Sequence, residues 1–180
     1  MHRNQLLKLL AAYHPTHEET EYKERTIKFI NTYANCFERT LAIGHITGSA
    51  FILNKAHTHA LLLHHTKLDK WLQLGGHCDG DTDVLKVALR EAQEESGIRG
   101  IEPVSLEIFD IDIHQIPERT HEPAHDHYDI RFLLQVTSDE QVIQNHESKE
   151  LRWIKLDMSE LPTREQSVLR MFKKIKGNVT

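Results

Sequence analysis

The sequence is short of cysteine, of net positive charge and of long apolar runs, and each shortage closes a class of explanation. Its two cysteines, Cys36 and Cys78, lie far apart and in no CxxC pattern. That argues against a disulfide framework and fits a reducing cytosol, so a cytoplasmic protein is expected. The net charge is −5, so the basic footprint of a general nucleic-acid binder is missing. An acidic chain can still take an anionic substrate where metal ions mediate. No apolar run approaches the length of a membrane span, and no membrane partner is expected. The N-terminal stretch MHRNQLLKLLAAYHPTHEE has a short apolar patch but neither a long apolar region nor a small-residue cleavage site. It reads as part of the mature protein. Internal repeats and low-complexity linkers are also missing.

What remains is ordinary globular composition, 180 residues with 39% hydrophobic and 27% charged. That is enough for one domain with a sizeable core and an added subdomain. The fourteen histidines are the odd feature.

Residues 1–37 read as helical. Leu6, Leu9, Leu10 and Tyr13 recur at helical spacing and Pro15 stops the run. Thr16 or Thr20 suits the cap of a second helix through YKERTIKFINTYANCF. These helices would form an extension packed on their own domain or on a partner, so a dimer is one arrangement open to the chain. The remainder, 38–180, reads as a second region. HITGSAFILNK and HALLLHHT are strands, and WLQLGG closes the second of them. DTDVLKVALREAQEES is a helix with Asp81 or Thr82 as N-cap and Gly97 as its stop. Leu85, Ala88, Leu89 and Ala92 form its buried stripe, with Glu91, Glu94 and Glu95 at the rim. VSLEIFDIDIHQI, HYDIRFLLQV and LRWIKL follow as strands, and a closing helix starts after Pro162 with Thr163 as cap. The order implies an α+β fold with a mixed sheet between helices.

Three glutamates at the C-terminal end of a helix are in an unfavourable place. That end carries partial negative charge, and Glu91 shares a face with Glu94 and Glu95. Basic neighbours, solvent or bound divalent cations would each relieve the repulsion. Context decides among them. GGHCDGDTDVLKVALREAQEESGI resembles the signature of the Nudix hydrolase superfamily, G-x5-E-x7-R-E-U-x-E-E-x-G-U, with U a bulky aliphatic. Gly76, Arg90, Glu91, Glu94, Glu95, Gly97 and Ile98 occupy their positions with the required spacing. Ala92 is smaller than the usual U. The early glutamate is replaced by Thr82, and Leu74 stands before the Gly-Gly where many relatives have proline. The strands around the box are similar as well, so the likeness covers about residues 42–175.

The resemblance implies a Nudix α/β/α sandwich and metal-dependent hydrolysis of a nucleoside diphosphate-X or related phosphoanhydride. It implies Mg2+ or Mn2+ held by Glu91, Glu94 and Glu95, with Arg90 orienting Glu91. Relatives often draw a further ligand or base from an acidic residue before the last strand. Glu147 is the best match and Glu150 the alternative. Gly76 and Gly97 would shape the loop and the helix end. The substrate is a small molecule, and nothing in the sequence selects among subfamilies.

The histidines pose a separate question. His125, His127 and Asp129 stand at i, i+2, i+4, which on a strand is one face. With His77 in the loop ahead of the helix, they suit a second metal site for Zn2+, Ni2+ or Mn2+. His45 precedes the first core strand. The plainer reading is hydrogen-bonded or solvated histidines. Two other functions remain open. Isopentenyl-diphosphate isomerase shares the Nudix fold and uses a His/Glu metal site with a cysteine, and Cys78 lies beside the HCDGD loop. A non-catalytic Nudix-fold module would bind a nucleotide or metabolite as a sensor, and Thr82 keeps that reading alive.

Overall fold

The structure, a computed structural model, describes residues 3–118, 123–144 and 148–177. In chain order the elements are α1 (Asn4–Ala12), a 3-10 turn (His17–Glu19), α2 (Thr20–Thr32), β1 (Gly44–Leu53), β2 (His59–His65), β3 (Trp71–Leu72), β4 (Leu74–His77), α3 (Val84–Ser96), β5 (Ile101–Pro103), β6 (Asp110–Ile116), β7 (His125–Val136), β8 (Ser148–Lys155) and α4 (Gln166–Gly177). The strand order is β3-β2-β1-β7-β5, with β4 on β1, β6 on β7 and β8 on β2. This is the expected α+β set, a mixed sheet with helices and a helical N-terminus. Among the described residues no helix is long and apolar enough to cross a membrane.

Two compact units make up the chain, and β1, β4, β7 and α3 contribute residues to both. The first comprises Met1–Ser49, Gly76–Ala88 and Ser105–Phe132. Its N-terminal helices pack on their own chain. Leu6, Leu10 and Tyr13 are buried as their spacing requires, and Phe29 of α2 stacks on Tyr128 of β7 at 4.0 Å between ring centroids. Each buried leucine contributes about 1.5–3 kcal/mol. Glu19 is fully buried, yet its carboxylate accepts hydrogen bonds from the Thr16 amide (3.0 Å), the Thr16 hydroxyl (2.6 Å), the Tyr13 hydroxyl and the Ile111 amide of β6 (3.1 Å). A buried carboxylate so satisfied ties the 3-10 turn to β6. Gly48 of β1 faces the start of α3, where an added Cβ would come within 2.8 Å of the Val84 carbonyl oxygen.

The second unit comprises Ala50–Gly75, Leu89–Val104 and Leu133–Thr180. β2 is its centre, paired antiparallel with β1, β3 and β8. Leu61, Leu62 and Leu63 are all buried, as a central strand covered on both faces requires. Phe51 and Phe172 of α4 meet edge to face at 5.1 Å.

Several boundaries differ from the sequence reading. Helix α2 stops at Thr32, short of Phe37, because Tyr33 is already extended, and β7 and β8 start earlier, at His125 and Ser148. WLQLGG forms two short strands, β3 and β4, because β2 ends at His65 and the chain turns back to pair His64 with Trp71. VSLEIFDIDIHQI is strand only from Asp110. Upstream, Ser105 Oγ accepts the Glu107 amide (3.1 Å), a local bond that competes with a ladder. Helix α3 is capped by Asp83, whose Oδ1 accepts the Lys86 amide at 3.2 Å, while Asp81 holds the Asp83 amide one step earlier (3.0 Å). Thr163 holds the Glu165 amide (3.2 Å) ahead of α4 and does not cap its first turn.

Candidate functional site

The first cluster lies on α3. Its buried residues are Val84, Val87, Ala88, Ala92, Glu95 and Ser96. Leu85 and Leu89 are only half-buried, so the stripe is rotated by one residue from the sequence reading. Glu95 therefore continues the buried stripe and does not flank it. The helix stops where a glycine was expected to stop it. Gly97 has φ +73, and its amide donates to the Gln93 carbonyl at 2.9 Å. A Cβ there would lie 2.6 Å from Ile143 Cβ.

The charged residues on this helix have distinct fixtures. Glu95 is 5% exposed, and its Oε2 accepts the Gly75 amide at 2.9 Å. Arg90 Nη2 donates to Glu91 Oε1 at 2.7 Å, and the Glu91 side chain is 17% exposed. Glu94 is exposed. The three carboxylates stand at i, i+3 and i+4 and so share a helix face. Among the described residues they do not form a tight three-ligand cluster. Such a spread still suits Mg2+, which keeps several waters and takes one or two carboxylates plus substrate phosphates. Gly76 lies half-buried on β4, and Leu74 before it is fully buried. Thr82 lines a recess with Gln5, Leu6 and Leu9 of α1 and with Asp83, so the position of the missing glutamate faces the N-terminal helix. Glu150 pairs with Arg152 at 2.6 Å on an exposed surface. Glu147 lies outside the described residues.

The second cluster is built by strands. His45 is the second residue of β1, His77 closes β4, and His127 sits on β7 opposite His114 of β6. One ligand atom from each of His45, His77 and His127 lies within 4.8 Å of the others. His45 is 1% exposed, and neither of its ring nitrogens has a hydrogen-bond partner. His125 adjoins this trio. Its Nδ1 donates to the Pro123 carbonyl (2.8 Å), and its Nε2 stands 3.3 Å from His127 Nε2. Burial first, and neighbouring imidazoles after it, push the His45 pKa down to about 4 and that of His127 down to about 2. Both rings are held neutral.

Asp129 belongs to a different construction. Its carboxylate accepts the Thr47 hydroxyl (2.8 Å), the Ser49 hydroxyl (2.7 Å) and Arg131 Nε (2.8 Å). Arg131 is buried and also reaches Asp110 (3.2 Å) and Asp112 (3.3 Å). Burial opposes its charge, but the three carboxylates outweigh it and raise its pKa above the ordinary value. Of the four residues read from the sequence as a second metal site, His77 and His127 come together, His125 stands beside them, and Asp129 is committed to Arg131. His45 completes the trio. One signal for it was present in the sequence. His45, Thr47 and Ser49 place polar side chains at alternate positions of a strand that is buried throughout.

Comparison with known proteins bears on the whole arrangement. A family model described as NUDIX domain matches residues 44–174. Among solved structures, the MutT protein from Methanosarcina mazei Go1 is similar at 22% identity and TM-score 0.61, covering 78% of this chain and 98% of that one. A NUDIX-family hydrolase from Clostridium perfringens is similar at 24% identity and TM-score 0.53, covering 74% and 97%. The NUDIX domain of Shewanella oneidensis NrtR, solved with ADP ribose, is similar at 15% identity and TM-score 0.53, covering 86% and 98%. No curated protein matches the chain.

Proposed function

The chain belongs to the Nudix family, whose enzymes hydrolyse phosphoanhydride bonds, and on that premise we propose that it cleaves a nucleoside diphosphate-X or related small phosphoanhydride from helix α3. The observation that carries this reading is the fixing of Glu91 and Glu95 on the helix. The Gly75 amide anchors Glu95 and Arg90 anchors Glu91, while Glu94 faces solvent. Carboxylates held this way need little reorganisation when a cation arrives. Glu91, Glu94 and Glu95 hold Mg2+ or Mn2+, and Arg90 is a positioning residue for Glu91. A cation held there would supply charge that neutralises the diphosphate oxygens facing an attacking water. Glu94, the exposed member, is the carboxylate placed to meet substrate and to take a proton from that water. Glu147 is the candidate for a further ligand. The protein would act in the cytoplasm on a diffusible substrate.

Thr82 supports a second reading, a nucleotide-binding module without turnover. In its favour, the similar NrtR domain was solved with ADP ribose. The retained glutamates weigh against it. The isomerase reading is weakened by Cys78, which is 1% exposed. A panel of nucleoside diphosphate derivatives and nucleoside triphosphates, incubated with Mg2+ and Mn2+ and read out as phosphate and pyrophosphate, separates these functions. Turnover of at least one member is expected. Binding without turnover across the panel would instead establish the module.

A further inference from the structure

We propose that His45, His77 and His127 form a binding site for a divalent transition metal, with zinc as the ion their chemistry favours. The observation that carries this is His45. An imidazole at 1% exposure with both nitrogens unpartnered forfeits hydrogen bonds that burial makes expensive to lose. Such a group calls for a ligand. Imidazoles of His127, His77 and His125 stand around His45 at 4.7, 5.0 and 5.0 Å between ring centroids, and the nitrogens offered by His45, His77 and His127 lie within 4.8 Å of one another. A tetrahedral zinc site with bonds of about 2.0–2.1 Å sets its nitrogens about 3.4 Å apart. The trio therefore closes on an ion with side-chain adjustments on the order of an ångström.

The ligand type selects the metal. Imidazole suits zinc, nickel, copper and iron, whereas Mg2+ and Ca2+ prefer oxygen. Three imidazoles with a position to spare match the ligand count of an open zinc site. The surroundings supply what such sites need. His125 is fixed in one tautomer by the Pro123 carbonyl, which leaves its Nε2 lone pair turned toward His127. His114 flanks the trio across the β6–β7 ladder, with its Nδ1 3.1 Å from Asp112. This nitrogen site is separate in chemistry from the oxygen donors of α3, and its presence does not depend on the hydrolytic reading.

The test uses the full chain without a histidine tag, stripped with EDTA, incubated with Zn2+ and desalted. Metal analysis should find one equivalent of zinc retained by the wild type. His77→Ala and His127→Ala should each weaken zinc binding at least about tenfold, with far-ultraviolet circular dichroism in EDTA matching the wild type. Glu94→Gln should retain zinc as the wild type does, which separates this site from the carboxylates. Cobalt substitution of the wild type needs no variant. Intense visible bands are expected from nitrogen ligation at low coordination number. A wild type that retains no zinc, a His77→Ala protein that binds it equally well, or a weak octahedral cobalt spectrum would each overturn the site.

Discussion

The glutamates of α3 and the histidines of β1, β4 and β7 are two ways of gathering ligands, and they differ in how the chain brings them together. On α3 the helix repeat does the work. Glu91, Glu94 and Glu95 share a face because of their spacing alone, so the cluster is already present in five consecutive residues. The histidines converge only when three strands are laid side by side. The donors differ too. Carboxylates on a helix rim offer hard, hydrated oxygen suited to a cation that comes and goes with substrate. Imidazoles on strands, with His45 buried among them, offer nitrogen suited to an ion that stays.

The contrast can be broken most sharply at Glu94. Glu94→Gln should lower kcat/KM for phosphoanhydride hydrolysis by about a thousandfold or more with an unchanged melting temperature. Wild-type kinetics in this variant would remove the functional meaning of the ridge. The largest stability effect is expected on the histidine side, at Arg131. Arg131→Met leaves Asp110, Asp112 and Asp129 buried around an uncharged side chain, at a cost of about 3–5 kcal/mol in urea denaturation. A loss under about 1 kcal/mol would mean that the three carboxylates find other partners.

A smaller effect is expected at the end of α3. Gly97→Ala forces a Cβ against Ile143 in a left-handed backbone and should destabilise the fold by about 1–3 kcal/mol, measured by the same denaturation. The smallest concerns Cys36. Burial pushes its thiol up to about 11, so at pH 8 its alkylation should be far slower than that of the unfolded chain. Mass spectrometry after timed exposure to iodoacetamide checks this, and equal rates would contradict it.

Much of this was legible in the sequence, for reasons that the two regions make plain. The helix stop at Gly97, the strands β1 and β2 and the glutamate face all follow from local spacing and turn chemistry. The cap of α3 was misplaced because Asp81, Thr82 and Asp83 are all good capping residues, and only hydrogen-bond geometry chooses Asp83. The buried stripe was misplaced by one residue because Val84 and Val87 compete with Leu85 and Leu89 at the same period. Glu95 lies on that stripe because its partner, the Gly75 amide, is supplied from outside the helix. Strand alternation groups Asp129 with His125 and His127. The alternation was right, but Arg131 two residues on claims its carboxylate. His45 was under-weighted because its partners come from distant segments, which periodicity cannot reveal. Thr82 looked like a defect in the signature. It lines a recess with Gln5, Leu6, Leu9 and Asp83, so the position faces the N-terminal helix.

On the proposed function, the carboxylates of α3 run a cation-dependent hydrolysis. Its most direct test is a Mg2+ titration of turnover on the best substrate of the panel, for the wild type and for Glu95→Gln. The wild type should be silent in EDTA and recover with added Mg2+, while Glu95→Gln should stay at least about a hundredfold slower at saturating Mg2+. Equal turnover of the two proteins, or full wild-type activity in EDTA, would contradict the account.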